Sequence, residues 1–157
     1  MDYFKENLRN NISDTDTILD IGCGNKDKTS MFKKENVTSL DAWDRVSPDI
    51  CLDLSKEKLP YKDNSFDVIL MIDFIEHIEK NRGIELIEEC KKIVRKKIIL
   101  FTPLIWSDNS INVNNPDLWC FGNIFDYHKS LWSAEDFVGW GRIPFEGYFY
   151  GFWNKGL

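Results

Sequence analysis

Thr17-Ile18-Leu19-Asp20-Ile21-Gly22-Cys23-Gly24 reads as a short buried strand that runs straight into a glycine turn. Ile18, Leu19 and Ile21 form an apolar run of strand length, stopped by residues that strands avoid. Gly22 and Gly24 carry no Cβ, so the backbone can turn tightly there and come close to a ligand. Asp20 interrupts the apolar run, where an unpaired carboxylate is costly. Its expected partners are the backbone N–H groups of the turn. Strand, glycine turn and helix together hold nucleotide-like cofactors in doubly wound α/β sheets. The dinucleotide form of this turn carries a third glycine three residues on, and here Asp27 stands at that position.

Further strands follow at the spacing such a sheet needs. Val37 to Leu40 reads as a second strand ending at Asp41, and Asp49 to Leu52 as a third ending at Asp53. Phe66 to Ile72 is the longest apolar run and reads as a strand buried on both faces. Lys97 to Phe101 is a fifth strand, stopped by Thr102-Pro103. Helices are expected over residues 3–11, using Tyr3, Phe4 and Leu8, and over Lys28 to Lys34, anchored by Met31 and Phe32. A third is expected over Ile84 to Val94, where apolar residues recur at helical spacing. Alternating strands and helices predict an α/β fold: a Rossmann-like, doubly wound, mostly parallel sheet flanked by helices. The Pro60 to Ser65 stretch is a turn, and Ser133 with Asp136 marks a helix start. Gly147 to Trp153 reads as a last strand, and the C-terminal part looks one strand pair short.

At 157 residues, one domain over 1–157 is expected, with a cofactor half at 12–100 and a substrate-side half at 101–157. The second half holds most of the aromatic residues, which could wall a substrate pocket or form a homodimer interface. A content of 43% hydrophobic and 29% charged residues is that of a globular chain. The net charge of −6 argues against bulk binding to nucleic acid or an anionic membrane. Cys23, Cys51, Cys90 and Cys120 lie far apart without a Cys-x-x-Cys pair, so neither a disulfide framework nor a zinc knuckle is signalled. Cys23, Cys51 and Cys90 sit in apolar segments and read as core thiols, in keeping with a reducing, cytoplasmic setting. The first residues lack the apolar stretch of a signal peptide, and no apolar run approaches transmembrane length.

Four stretches carry chemistry. Asp41 closes the second strand 17 residues after Gly24, where an acidic residue accepts hydrogen bonds from ribose hydroxyls. Asp53-Leu54 is followed by Leu59-Pro60-Tyr61 and then Ser65-Phe66-Asp67, ahead of the long strand. Asp73 and Glu76-His77-Ile78 follow that strand, and His128 precedes Trp132-Ser133-Ala134-Glu135-Asp136-Phe137. In this order, with Asp20-Ile21-Gly22-Cys23-Gly24 in front, the motifs resemble those of the class I, Rossmann-like S-adenosylmethionine-dependent methyltransferases. The resemblance covers about residues 15–140.

The resemblance implies S-adenosylmethionine as cofactor and a site assembled as follows. Asp20, Gly22, Cys23 and Gly24 face its methionine part, and Asp41 with Ala42 holds the ribose. Asp53 and the Leu54 N–H meet the adenine, and Asp73 lies near the transferred methyl. Asp73, His77 and His128 are the candidate catalytic residues. The acidic balance and the aromatic-rich segment after the fifth strand point to an acceptor seated against Trp106 to Trp132, a small molecule or a peptide side chain. Asp73, Glu76, His77 and His128 also resemble, with Asp in place of Glu, the metal site of small-RNA 2′-O-methyltransferases; no bound metal is expected, because the shorter side chain retracts one arm. The Lys91-Lys92 and Arg95-Lys96-Lys97 run reads as the exposed end of a helix. Two other classes stay open: an inactive methyltransferase-like binding or scaffold domain, and a nicotinamide-dependent oxidoreductase.

Overall fold

Ile18–Ile21 forms strand β1, and all four of its residues are buried. The computed structural model describes residues 3–156. β2 (Val37–Asp41) pairs in parallel with one edge of β1. β3 (Ile50–Cys51) continues the sheet beyond β2. On the other edge of β1 lies β4 (Phe66–Ile72), and beyond it β5 (Val94–Pro103), both parallel to β1. β6 (Gly141–Ile143) and β7 (Tyr148–Asn154) form the far edge, with β7 antiparallel to both β5 and β6. The order is β3-β2-β1-β4-β5-β7-β6. The chain winds one way from β1 to β3 and then restarts at β4 on the opposite side. The C-terminal ends of β1 and β4 therefore form the switch point where open α/β sheets bind ligands.

From Val68 to Ile72 β4 is continuously apolar because both of its faces are covered. Ile69 and Met71 face one core with Leu19, Ile21, Leu86, Cys90 and Leu100. Val68, Leu70 and Ile72 face another with Phe4, Leu8, Ile12 and Tyr150. Helix α1 (Tyr3–Asn11) supplies Phe4 and Leu8 to the second core. Tyr3, expected to join them, is exposed, and Ile12 packs in its stead. Helix α2 (Lys80–Ile93) covers the first core with Leu86, Ile87, Cys90 and Ile93, one turn longer at its start than its apolar spacing predicts. The basic run after it is absorbed locally: Arg95 pairs with Asp67 at 3.0 Å, and Lys96 with Asp16. Asp67 also accepts the Thr17 N–H at 3.0 Å, tying the start of β4 to β1.

Several expectations need correction. No helix spans Lys28 to Lys34; turns fill this stretch, with only a short 3-10 segment at Lys34–Asn36. The local groups favour turns: Asn25 Oδ1 accepts the Asp27 N–H, Ser30 Oγ donates to the Asp27 carbonyl, and Lys26 adopts a left-handed φ of 62°. Two apolar anchors in a polar stretch cannot offset that competition. The last strand expected at Gly147 to Trp153 is β7, and the C-terminal part gains one further short strand, β6, while its helices are reduced to single turns. After Ser133 there is a single 3-10 turn, Ala134–Phe137, in which Asp136 accepts the Ser133 N–H at 2.8 Å. Cys51 is exposed on the short β3, whereas Cys120 is buried.

Gly83 lets the C-terminal segment lock onto α2. A Cβ there would stand 2.7 Å from the Trp132 ring and 3.1 Å from Ile75. Trp132 is buried, and its indole N–H donates to Ser130 Oγ at 2.9 Å. Alanine is favoured over glycine inside a helix by about 1 kcal/mol, but overpacking a filled core costs about 1–3 kcal/mol. Both neighbours here are buried and rigid, so overpacking wins. Gly83→Ala is therefore expected to lower the urea midpoint without changing the slope. An unchanged or raised midpoint would show that Trp132 yields freely.

Candidate active site

The glycine turn is held by β2. Gly22 N and Cys23 N both donate to the Leu40 carbonyl, at 2.8 and 3.1 Å. Gly24 N donates to Asp41 Oδ2 at 3.0 Å. Asp20 is thus not the acceptor for the turn. Its carboxylate accepts instead from the Thr29 hydroxyl at 2.8 Å, and burial pushes its pKa up to about 6. Gly22 and Gly24 both have positive φ, 69° and 49°. Close packing demands glycine as well: a Cβ at Gly22 would collide with the Phe74 ring, and one at Gly24 would stand 2.8 Å from the Trp119 ring. Burial raises the Cys23 thiol to about 12, so it is an inert neighbour here.

Asp41 is half-buried and doubly engaged: its other oxygen accepts the Trp43 N–H at 2.9 Å. Each carboxylate oxygen keeps a second lone pair for a hydroxyl. Ala42 and Asp53 line the same cleft. Asp53 accepts from the Ser55 N–H and hydroxyl and pairs with Lys56 at 3.0 Å, which together hold its pKa below the ordinary range despite the opposing desolvation. Leu54 is buried, and its carbonyl accepts from Arg82 Nε at 2.9 Å.

The far end of the cleft is built on the segment after β4. Asp73 has φ 48°, left-handed for a residue with a side chain, a backbone state that costs energy and clusters at functional sites. Its side chain is open to the water of the cleft but surrounded by protein, and the resulting desolvation raises its pKa to about 6. Glu76 is fully buried, accepts from the Thr102 hydroxyl at 2.9 Å, and is pushed up to about 8, chiefly by burial and then by the Asp73 charge. The Glu76 carbonyl accepts the N–H groups of Lys129 and Ser130, which brings His128 alongside His77 with ring centres 4.8 Å apart. His77 Nε2 lies 3.8 Å from Asp126 Oδ1. Desolvation lowers the pKa of both histidines, and the neighbouring His77 lowers His128 further.

One cleft of about 870 Å³ thus gathers every expected site residue: Asp20, the glycine turn, Asp41, Ala42, Asp53, Leu54, Asp73, His77 and His128. It adds residues the sequence did not single out, chiefly Phe74, Trp119 and Asp126. Asp126 carried one signal, two residues before His128 in an aromatic segment; Trp119 carried none within reach of Gly24. Glu76, His77 and His128 each bring a ligand atom within 4.8 Å of the others. Atoms sharing a tetrahedral ion lie about 3.4 Å apart when each bond is about 2.1 Å. These three would have to close in to hold one.

The methyltransferase domain model matches residues 19–102, more than half of the chain. The chain belongs to this methyltransferase domain family. An uncharacterized protein of Methanocaldococcus jannaschii is 27% identical over 127 residues, covering 76% of this chain and 52% of the relative. The chain therefore spans about half the length of the curated relative it matches. Among solved structures, a SAM-dependent methyltransferase from Archaeoglobus fulgidus superposes with a TM-score of 0.58 at 20% identity, covering 87% of this chain and 67% of that one. The 1,6-didemethyltoxoflavin-N1-methyltransferase of Burkholderia thailandensis, solved with its substrate and S-adenosylhomocysteine, gives 0.61 at 13% identity, covering 97% and 76%. At these identities the two structures share the fold of this methyltransferase domain.

The raised Glu76 pKa makes the domain sensitive to alkali. The folded state holds this proton more tightly than the unfolded chain, whose carboxyl titrates near the ordinary 4.5. Its stabilising effect is full below that value and is lost as pH rises through about 8. Asp20 and Asp73, both raised to about 6, act in the same direction. Glu76→Gln keeps an acceptor for Thr102 without the charge. Between pH 5.5 and 9, urea unfolding should show a smaller loss of stability in Glu76→Gln than in the parent. Equal losses would mean that Glu76 ionises in the folded state without penalty.

Proposed function

We propose that this domain transfers the methyl group of S-adenosylmethionine to a small-molecule acceptor. The observation that carries the reading is Asp41, a carboxylate at the end of β2 bonded to the Gly24 N–H and lining the cleft. In this reading its remaining lone pairs take the two ribose hydroxyls. Gly22, Cys23 and Gly24 lie along the methionine part, with Asp20 behind them and Ala42 beside the ribose. Asp53 and the Leu54 N–H take the adenine. Asp73 stands near the sulfonium. The acceptor's lone pair attacks the methyl carbon in line with the breaking carbon–sulfur bond, and the electron pair of that bond stays on sulfur, giving S-adenosylhomocysteine. The protein's contribution is alignment and exclusion of water. Asp73, His77 or His128 takes a proton where the acceptor must lose one.

A binding or scaffold role is the second reading, favoured by one observation: Trp119 stands directly over Gly24. An oxidoreductase role has lost support, because a dinucleotide pyrophosphate is held at a helix N-terminus and turns follow Gly24 here. Four unpaired thiols accord with a cytoplasmic setting. No helix among the described residues is long and apolar enough to cross a membrane. Exposed apolar side chains from Ile105 to Ile124 would suit a homodimer contact.

Calorimetric titration with S-adenosylhomocysteine tests the reading. The parent should bind, and Asp41→Asn should bind about tenfold more weakly or worse, since hydrogen bonds to a charged group contribute roughly 1.5–3 kcal/mol each. Asp41 also holds two backbone N–H groups, so the variant should lose some stability and must be titrated well below its melting point. Equal affinities would move the ribose contact elsewhere. No binding by the parent would favour the scaffold reading.

A further inference from the structure

We infer that the methyl acceptor is an amine, taken up as an ammonium ion between Asp73 and Asp126. This rests on the methyl-transfer reading and adds the chemical class of the acceptor.

Asp73 is the first ground. Its backbone sits in the left-handed region at the end of the central strand, and its N–H is fixed to the Phe101 carbonyl at 2.9 Å. Its carboxylate has no hydrogen bond or ion pair among the described residues. A strained backbone that presents an unpartnered carboxylate to a cleft suits a ligand rather than the fold. Asp126 is the second. Asn109 holds its Oδ2 at 3.0 Å, while Oδ1 stays 3.8 Å from His77 Nε2, beyond a hydrogen bond. The two imidazole rings meet edge to face, 4.8 Å between centres, so that of the two acids only Asp126 has a histidine nitrogen within ion-pair range, and only when His77 is protonated. Lys28 offsets part of the Asp73 charge but forms no ion pair with it: its ammonium rests over the Phe4 ring, 5.1 Å from its centre, and Lys129 is exposed. The walls are the third. Ile105, Trp106 and Tyr148 line the same cleft, and Ile105 and Trp106 are exposed without a cover. Carboxylates combined with aromatic faces recognise organic cations. An alcohol would gain little from the two acids, and a carboxylate would be repelled.

The ammonium gives one proton to His128, the more open of the two histidines. The freed lone pair attacks the methyl carbon. The carbon–sulfur bond breaks with its electrons on sulfur, and the N-methylated product carries the positive charge that sulfur gives up. Asp73 and Asp126 face that charge before and after transfer.

Incubating the protein with methyl-labelled S-adenosylmethionine and matched sets of amines, alcohols, thiols and carboxylic acids tests this. Calorimetry with S-adenosylhomocysteine comes first; failure there overturns the methyl-transfer reading itself. With binding established, label should enter the amine set alone. Asp126→Asn should raise KM for the amine by about tenfold or more while leaving S-adenosylhomocysteine affinity nearly unchanged. Should Asp126→Asn fail to fold, because Asn109 also depends on it, Asp73→Asn should show the same KM effect. Label in the alcohol, thiol or acid set, or in no amine at all, would overturn the inference. So would manganese binding that the amine displaces, since the pocket would then be an ion site.

Discussion

Two backbone N–H groups, from Gly22 and Cys23, converge on the single carbonyl of Leu40. That contact fixes the glycine turn against β2 and, one residue on, sets Gly24 against the Asp41 carboxylate. The parallel register places Ile21 opposite both Leu40 and Met71. The turn, Asp41 and Asp73 therefore emerge side by side at the ends of three neighbouring strands. Neither glycine tolerates a side chain, since Phe74 and Trp119 fill the space where a Cβ would stand. A rigid sheet edge thus presents backbone groups and carboxylates with little freedom to rearrange, which is what alignment of a cofactor requires.

The second constraint lies on the other side of the cleft. Trp132, seated against Gly83, anchors a segment whose Lys129 and Ser130 N–H groups both reach the Glu76 carbonyl. His128 comes beside His77 for that reason, although the two are far apart along the chain. The cost of this compaction is electrostatic. Glu76 and Asp126 crowd into poorly solvated positions, Asp73 opens onto the cleft with protein close around it, and each holds its proton more tightly than it would in water. Functional sites accumulate such perturbed groups, while the fold elsewhere neutralises its charges, as Asp67 and Arg95 do.

Much of the sheet was legible in the sequence because parallel strands buried on both faces leave continuous apolar runs such as Val68 to Ile72. The candidate site residues were legible where they close or follow a strand: Asp41 at the end of β2, Asp73 just after β4 and Asp53 two residues beyond β3. Other features turn on contacts that no local pattern encodes. The helix expected at Lys28 to Lys34 yields to side-chain and backbone bonds around Asn25, Asp27 and Ser30. Asp20 finds Thr29, nine residues away, in preference to the turn beside it. Trp119 meets Gly24 and Trp132 meets Gly83 only after the C-terminal segment folds back over the strand ends. β6 has three residues, too few to give a periodic signal.

Amide chemical shifts of the ¹⁵N-labelled protein, recorded as S-adenosylhomocysteine is added, test most directly where the cofactor lies. The largest changes should fall on Gly22, Gly24, Ala42 and Leu54, with the amides of α1 unmoved. Changes confined to the Ile105 to Phe125 segment would contradict the proposed placement. A spectrum unchanged at saturating ligand would contradict cofactor binding altogether.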